Sequence, residues 1–303
     1  MMVYKPRTKS SELLMLSSLN TRMKLTETDK QHYLNLRRGY DGEKLFDSLI
    51  ENLRSDCLIV NDLLLKLNNT LFQIDSLIIF QETIFVFEVK NFEGDFYYSS
   101  DRIYTYSKKQ EISNPLNQLN RTDSLLRQLL QQIGYNATIQ SSVIFINPEF
   151  TLYQAPLDKP FIFPTQVNKF IHKLNKISSS LNETHKNLVE KLLSLHIKES
   201  PYTLLPSYNY DLMEKGITCV CCSSFSVSIK GKKVICEDCN HGELITDAVL
   251  RNINEFKLLF PDIKITTTII HDWCKIIKTK KRIQRILEKN FKMVGVHQWA
   301  YYE

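Results

Sequence analysis

The 303-residue chain has room for two domains and carries a net charge of +6, with 43% hydrophobic and 24% charged residues. This is the composition of a soluble globular protein; no apolar run approaches the ~18 residues of a membrane span, and neither a repeat nor a low-complexity stretch is present. The opening MMVYKPRTKSSELL is basic but lacks a continuous apolar core and a small-residue cleavage site, so a cytoplasmic protein without membrane attachment is expected. The modest basic excess leans toward a polyanionic partner.

Residues 1–35 read as a polar, helical lead-in, with Thr26 or Thr28 able to cap a helix running to about Arg38. A second helix, from Gly42 to about Leu53, repeats Leu45, Phe46, Leu49 and Ile50 at helical spacing. A strand is expected near 57–61. Two short apolar runs then follow, Leu71–Phe80 and Thr83–Val89, joined by the polar Gln81-Glu82. Rich in Ile, Val and Phe, they read as a β-hairpin. Charge is unwelcome there, because an unpaired buried carboxylate is very costly. Asp75 nevertheless interrupts the first strand, and Glu88 and Lys90 close the second. Two positions apart on a strand, Glu88 and Lys90 project from the same face. If the hairpin brings Asp75 alongside, two carboxylates and an ammonium converge. Grouped carboxylates suit a hard cation such as Mg²⁺, and a lysine beside them can offset negative charge or help activate a water. That is the equipment for hydrolysing a phosphodiester. Taken alone, an E-x-K triplet at a strand end is more often a solvated edge or a surface ion pair.

Further strands are expected near Asp95–Tyr98 and Arg102–Tyr106. A helix runs from Pro115 through Leu116, Leu119, Leu126 and Leu130 to Gly134. Ser142–Ile146 and Phe161–Phe163 read as strands, Thr165–Leu174 as a helix, and 176–200 as a polar helical continuation. Strands, then helix, strand and helix imply an α/β core with helices on its sides.

Seven cysteines occur, five of them within 219–239. Cys219-Val-Cys-Cys222 and Cys236-Glu-Asp-Cys239 form two C-x₂-C pairs with the spacing of a zinc ribbon, in which two knuckles give four thiolates to one Zn²⁺. Two short strands around Lys230-Gly231-Lys232 fit between them. Cys221 can substitute for Cys219 or Cys222, and His241 is a weaker candidate for the fourth ligand. An odd cysteine count without a secretion signal argues against disulfides.

Beyond the cysteines, Val249, Leu250, Ile253, Phe256, Leu259 and Phe260 follow helical spacing up to Pro261. A second helix holds Ile269, Ile270, Trp273, Ile276 and Ile277, capped by one of Thr266–Thr268. A third holds Ile283, Ile286, Leu287 and Phe291, and 296–302 reads as a terminal strand. Three helices and a strand outline a winged-helix-like tail. Residues 271–303 carry eight Lys/Arg and three acids, nearly the whole basic excess, so the third helix, with Lys280, Lys281, Arg282 and Arg285, is a candidate nucleic-acid contact. Lysines that merely solvate an outer helix face are the plain alternative.

Four ordered elements together resemble one family. They are Gly39-Tyr-Asp-Gly-Glu43, the strand carrying Asp75, Glu88-Val-Lys90-Asn-Phe-Glu-Gly94, and Asn114-Pro-Leu-Asn-Gln118. Over roughly 36–175 the chain is similar to the nuclease-related domain, NERD, within the PD-(D/E)xK or restriction-endonuclease-like nucleases. The proline of that motif is absent, Ile74 preceding Asp75. The resemblance implies a restriction-endonuclease-like core, a mixed sheet flanked by helices. It implies Asp75 and Glu88 as ligands of Mg²⁺ or Mn²⁺, and Glu43 as a further carboxylate from a neighbouring helix. Lys90 would orient or activate the attacking water, and Gln118 would position a phosphate or the lysine. Without the resemblance, Glu43 is only a first-turn acid facing the helix dipole, and Gln118 satisfies backbone groups near a helix start.

The expected organisation is a lead-in over 1–35, a nuclease-like domain over 36–200, a zinc-ribbon-like module over 201–245, and a basic helical tail over 246–303. The expected function is metal-dependent hydrolysis of nucleic acid, DNA before RNA, in a protein of bacterial type, with Zn²⁺ in the four-cysteine module. The alternatives are a non-catalytic nucleic-acid-binding or regulatory protein that keeps the nuclease fold, and a zinc module serving as a protein-interaction platform.

Overall fold

The computed structural model describes residues 1–296 and 300–303. In chain order, β1 (Met2–Lys5), α1 (Ser11–Arg22) and α2 (Glu27–Ile50) come first. Then follow β2 (Leu58–Leu67), β3 (Thr70–Ile79), β4 (Thr83–Lys90), β5 (Gly94–Ser99), β6 (Arg102–Thr105), β7 (Glu111–Ile112) and α3 (Pro115–Gln132). Next are β8 (Thr138–Phe145), β9 (Phe150–Tyr153), β10 (Phe161–Ile162), α4 (Pro164–Leu174) and α5 (Glu183–Ser194). The last third holds β11 (Val227–Lys230), β12 (Lys233–Cys236), β13 (Gly242–Leu244), α6 (Ile245–Leu259), α7 (Thr267–Cys274), α8 (Lys280–Asn290), β14 (Met293–Val294) and β15 (Tyr301–Tyr302). Among the described residues no helix is long and apolar enough to cross a membrane. Two compact units result, one of residues 1–9 and 34–202, the other of 10–33 and 203–303.

The first unit is a mixed α/β structure. Its six-stranded sheet has the order β1-β2-β3-β4-β8-β10. β2, β3 and β4 form an antiparallel meander, while β1, β8 and β10 each pair in parallel with a neighbour. Leu126, Leu129 and Leu130 of α3 and Leu188, Val189 and Leu192 of α5 bury one face of the sheet. Phe46 and Ile50 of α2 and Val167, Ile171 and Leu174 of α4 bury the other. A strand buried on both faces must be apolar almost throughout, as LIVNDLLLKL and TIFVFEVK are. A second sheet, β7-β6-β5-β9, joins the main one through an aromatic cluster that includes Phe96, Phe145, Phe150 and Phe161.

Two elements that position the site differ from the sequence reading. Met2–Lys5, expected within a helical lead-in, is an edge strand paired in parallel with Leu58–Val60. Its partner lies more than fifty residues away, so local pattern carries no sign of it. The two helices expected around Gly39–Gly42 are one continuous α2, its start capped by the Thr26 hydroxyl accepting from the Asp29 N–H at 3.2 Å. Gly42 breaks nothing. A side chain there would overlap the Asn91 Cβ, so the glycine lets the helix approach the chain just after Lys90. Leu45, expected on the buried face, is 44% exposed; Phe46, Asp47 and Ile50 form the buried stripe instead.

The second unit has its own core, in which Leu19 of α1, Ile217, Val234 of β12 and the apolar faces of α6, α7 and α8 share one cluster. Arg22 ties α1 into it. Its buried guanidinium donates to Glu255, to Asn252 Oδ1 and to the carbonyls of Glu214 and Gly216, and lies 4.1 Å over the Trp273 ring. The ribbon strands order as β11-β12-β13, with Gly231 at positive φ in the β11–β12 turn. After α8, Met293–Val294 pairs antiparallel with Tyr301–Tyr302. Of the terminal strand expected over 296–302, residues 297–299 lie outside the described residues.

Candidate active site and metal centre

The two charged strand positions meet where β3 and β4 separate. Their antiparallel ladder ends at Ser76↔Phe87. One residue further, the Asp75 side chain takes over the ladder's role, its Oδ2 accepting the Val89 N–H at 2.8 Å. Glu88 and Lys90 continue on β4, which stays paired in parallel with β8 through Lys90↔Phe145. Lys90 Nζ lies 2.5 Å from Glu88 Oε1 and donates to Gln118 Oε1 at 3.2 Å. Gln118 is brought there by the start of α3, where the Asn114 side chain accepts from the Leu116 N–H and Pro115 sits in the first turn. Glu43 arrives from α2. The structure therefore brings Glu43, Asp75, Glu88, Lys90 and Gln118 to one place.

It adds a residue that sequence reasoning missed. Arg7, just beyond β1, has a side chain only 3% exposed and forms an ion pair with Glu43. It also donates to both Asp47 oxygens, at 2.9 and 3.1 Å, and to the Asp75 carbonyl at 2.6 Å. The signal that could have found it is indirect: Glu43 and Asp47, one turn apart on α2, share a helix face and call for a cation.

Burial dominates the electrostatics. Glu88 is 2% and Asp75 5% exposed. Burial, reinforced by the Asp75 charge, pushes Glu88 up to about 8 against the pull of Lys90. Burial and then Asp75 push Glu43 up to about 8 against Arg7. Asp75 is raised by its burial as well. For Lys90, burial works toward deprotonation, but the charges of Glu88 and Asp75 outweigh it and hold the ammonium above its ordinary value. The cluster carries more buried negative charge than Lys90 and Arg7 relieve. The donor set is all oxygen, and Glu88 Oε1, although buried, has no well-directed hydrogen bond. Such a set fits a hard divalent cation, with Asp75 and Glu88 as ligands and Glu43 near them.

These shifts set a pH dependence for the metal-free protein. A carboxyl with a raised folded-state value binds more protons folded than unfolded, so stability is highest below the unfolded value near 4.5 and falls as pH rises toward 8. We expect the metal-free Tm to drop by several degrees over that window through these groups. A Glu43→Gln/Glu88→Gln variant should lose that part of the slope; melting both proteins at stepped pH in EDTA checks it. Parallel slopes would show that the two carboxyls do not titrate this way.

In the second unit, Cys219, Cys222, Cys236 and Cys239 are, among the described residues, the one metal-ligand group whose donor atoms all lie within 4.8 Å of one another. Cys219 and Cys239 sulfurs are 3.5 Å apart, Cys222 and Cys236 sulfurs 3.6 Å. Four thiolates about 2.3 Å from a tetrahedral Zn²⁺ stand about 3.8 Å from each other, so the set fits zinc. The Cys221 N–H points at the Cys219 sulfur at 3.3 Å. Burial opposes ionisation of Cys219, but the Cys222 and Cys221 N–H groups bring its thiol down to about 7. Cys221 is exposed and outside the group, as is His241, while Cys57 and Cys274 are buried free thiols.

Lys280, Lys281, Arg282 and Arg285 lie on α8, whose opposite face buries Ile283, Ile286 and Leu287. Among the described residues none of the four forms an ion pair with an acid.

No curated protein and no solved structure matches the chain. A family model described as the nuclease-related domain, NERD, matches residues 38–146. That span begins in α2, ends just after β8 and includes Glu43, Asp75, Glu88, Lys90 and Gln118. The stretch that builds the carboxylate–lysine cluster is thus the stretch that matches the nuclease-related domain.

Proposed function

We propose that this domain hydrolyses phosphodiester bonds of nucleic acid, DNA in first place. The observation that carries the reading is the cluster at the separation of β3 and β4. There, carboxylates of Asp75 and Glu88 are buried against a lysine in the strand pair that the nuclease-related match covers. A bound Mg²⁺ or Mn²⁺, held by Asp75 and Glu88, would supply positive charge beside the phosphate and make water more acidic. Lys90, kept protonated by its carboxylate neighbours, orients the attacking water and offsets the charge that grows on the phosphate oxygens. Gln118 holds the lysine's direction through its 3.2 Å contact. Glu43, paired with Arg7, adds negative charge to the cation site and fixes α2 against it. The test is incubation of the whole protein with labelled single-stranded, duplex and supercoiled DNA and with RNA, in Mg²⁺, Mn²⁺ or EDTA. Metal-dependent cleavage supports the reading; intact substrates in every metal would sink it.

In the second unit, zinc at the four cysteines would hold the ribbon together, and α8 would contact the nucleic-acid backbone. Supporting this, α7 and α8 are followed by a two-stranded pair, and α8 carries cations that form no ion pair among the described residues. Replacing Lys280, Lys281, Arg282 and Arg285 by glutamine is expected to weaken duplex binding at least tenfold and flatten its salt dependence by up to about four units of slope. An unchanged slope in a salt titration would exclude α8 from the interface. A cytoplasmic setting accords with seven cysteines of which none is in a disulfide.

One observation favours the non-catalytic reading. Cations of the chain already sit on the carboxylates, Arg7 on Glu43 and Lys90 on Glu88. A nucleic-acid-binding module that keeps the fold would show gel shifts without cleavage, unchanged by Glu88→Ala.

A further inference from the structure

The first two turns of α3 and the first residues of β3 enclose an open cleft of ≈ 430 Å³. Leu71 and Phe72 supply its apolar lining, and Thr122, buried, joins the two elements by a hydroxyl bond to the Gln73 carbonyl at 3.3 Å. The polar lining consists of Gln73, Asn117, Gln118 and Arg121, all exposed, with no acidic residue among the lining groups. Arg121 makes one long contact, to the Leu71 carbonyl at 3.4 Å. Among the described residues it forms no ion pair. A guanidinium held at a cleft without a carboxylate is a site for an anion, and its planar fork matches two oxygens of a phosphate. The amide side chains of Asn117 and Gln118 add neutral donors, and Gln73, which gives one amide hydrogen to Asp62 Oδ1 at 2.9 Å, keeps a second.

The position of this cleft gives it meaning. Gln118 is both a wall of it and the partner of Lys90 Nζ. Arg121 lies three residues further along the same helix, and Asn117 one turn before Arg121, so these side chains run from the Lys90 contact along one side of α3.

We propose that this cleft holds the polynucleotide next to the bond that is cut, with Arg121 gripping a backbone phosphate and Asn117 and Gln73 donating to the same strand. Arg121 is a positioning residue in this account; it does not touch the reacting atoms. The inference deepens the nuclease reading, which it needs only for naming which bond lies beside the cleft.

Binding decides it without cleavage. A fluorescein-labelled single-stranded DNA 15-mer is titrated with the whole protein in EDTA, at stepped salt, and followed by anisotropy. Arg121→Ala should weaken binding about tenfold and reduce the magnitude of the log–log salt slope by roughly 0.7, the value of one phosphate contact on a single strand. Arg121→Lys keeps the charge and should restore the slope while recovering part of the affinity. Asn117→Ala/Gln73→Ala, which leaves every cation in place, should weaken binding a fewfold at constant slope. The α8 cations contribute equally to each protein, so the differences belong to the cleft. An Arg121→Ala protein that melts like wild type and binds with wild-type affinity and slope overturns the proposal. So does an Arg121→Lys protein with the slope of Arg121→Ala. If the wild type cleaves, the loss in Arg121→Ala should fall on KM rather than kcat. If the wild type cleaves nothing, the nuclease reading fails alone and the binding result still stands or falls by itself.

Discussion

Lys90→Ala and Glu88→Gln should both abolish metal-dependent cleavage, by about 10²-fold or more each, while moving stability in opposite directions. The loss of activity follows from what each group does in the proposed reaction. Removing one preorganised group that meets developing charge typically slows an enzyme by about 10²–10³-fold, and Glu88 would in addition be a ligand of the cation. The stability effects follow from burial. Lys90 is the cation nearest Glu88, at 2.5 Å. Deleting it leaves a 2%-exposed carboxylate without its partner. The destabilisation should fall below the roughly 3–5 kcal/mol of a fully buried pair, because 22% of the lysine side chain still meets solvent. Glu88→Gln instead removes the charge whose burial pushes the carboxyl up to about 8. In EDTA near pH 4, where this carboxyl is protonated in the folded and the unfolded chain alike, the substitution should be close to neutral. Above pH 8 it should stabilise the fold. Cleavage rates with Mg²⁺, set beside Tm values in EDTA at both pH values, check the pair. Full activity in either variant would remove that residue from the chemistry. Equal destabilisation by both would show that the cluster holds the fold and is not held by it.

How much of this was legible depends on whether the signal is local. Alternation breaks plainly at Asp75 and at Glu88–Lys90, because charge inside runs such as IDSLII and FVFEVK opposes what a strand buried on both faces requires. The meeting of these residues follows from the hairpin alone. The cysteine pairs are equally local, and their sulfurs do gather. Arg7 is the opposite case. It sits in a short polar segment, and its partners Glu43, Asp47 and Asp75 lie 36 to 68 residues away. Only the tertiary fold turns YKPR into a buried ion-pair donor. The same holds for β1, whose parallel pairing has no hairpin to announce it. Gly39 and Gly42 misled for a different reason. Glycine lowers helix propensity by about 1 kcal/mol, which suggests a break. At Gly42 the missing side chain serves the approach to Asn91 and not a turn. α1 joins the second unit because of Arg22, whose partners Glu214, Asn252 and Glu255 come some two hundred residues later.

Removing the four-cysteine metal should cost the second unit a large part of its stability and leave the first unit folded. The ribbon strands are three and four residues long and cannot bury enough apolar surface by themselves. Only Val234 of β12 reaches the shared core as a fully buried residue of these strands' aliphatic side chains. If zinc binds, saturation a thousandfold above the dissociation constant contributes about 4 kcal/mol, which for a unit of this size is a Tm difference on the order of 10 °C. The protein as purified should contain one zinc per chain by elemental analysis. Chelation, or Cys236→Ser, should lower the melting transition of the second unit by about that amount. The transition of the first unit, reported by its own cluster of phenylalanines, should stay in place. Cys221→Ser is the internal control, since that exposed thiol stands outside the sulfur group and its loss should alter neither zinc content nor Tm. Zinc-free protein with an unshifted transition would mean that the four sulfurs are gathered by the β11–β12 turn and its flanking knuckles alone. A Cys221→Ser protein that loses zinc would mean that the knuckle pairs differently, with Cys221 in place of Cys219 or Cys222.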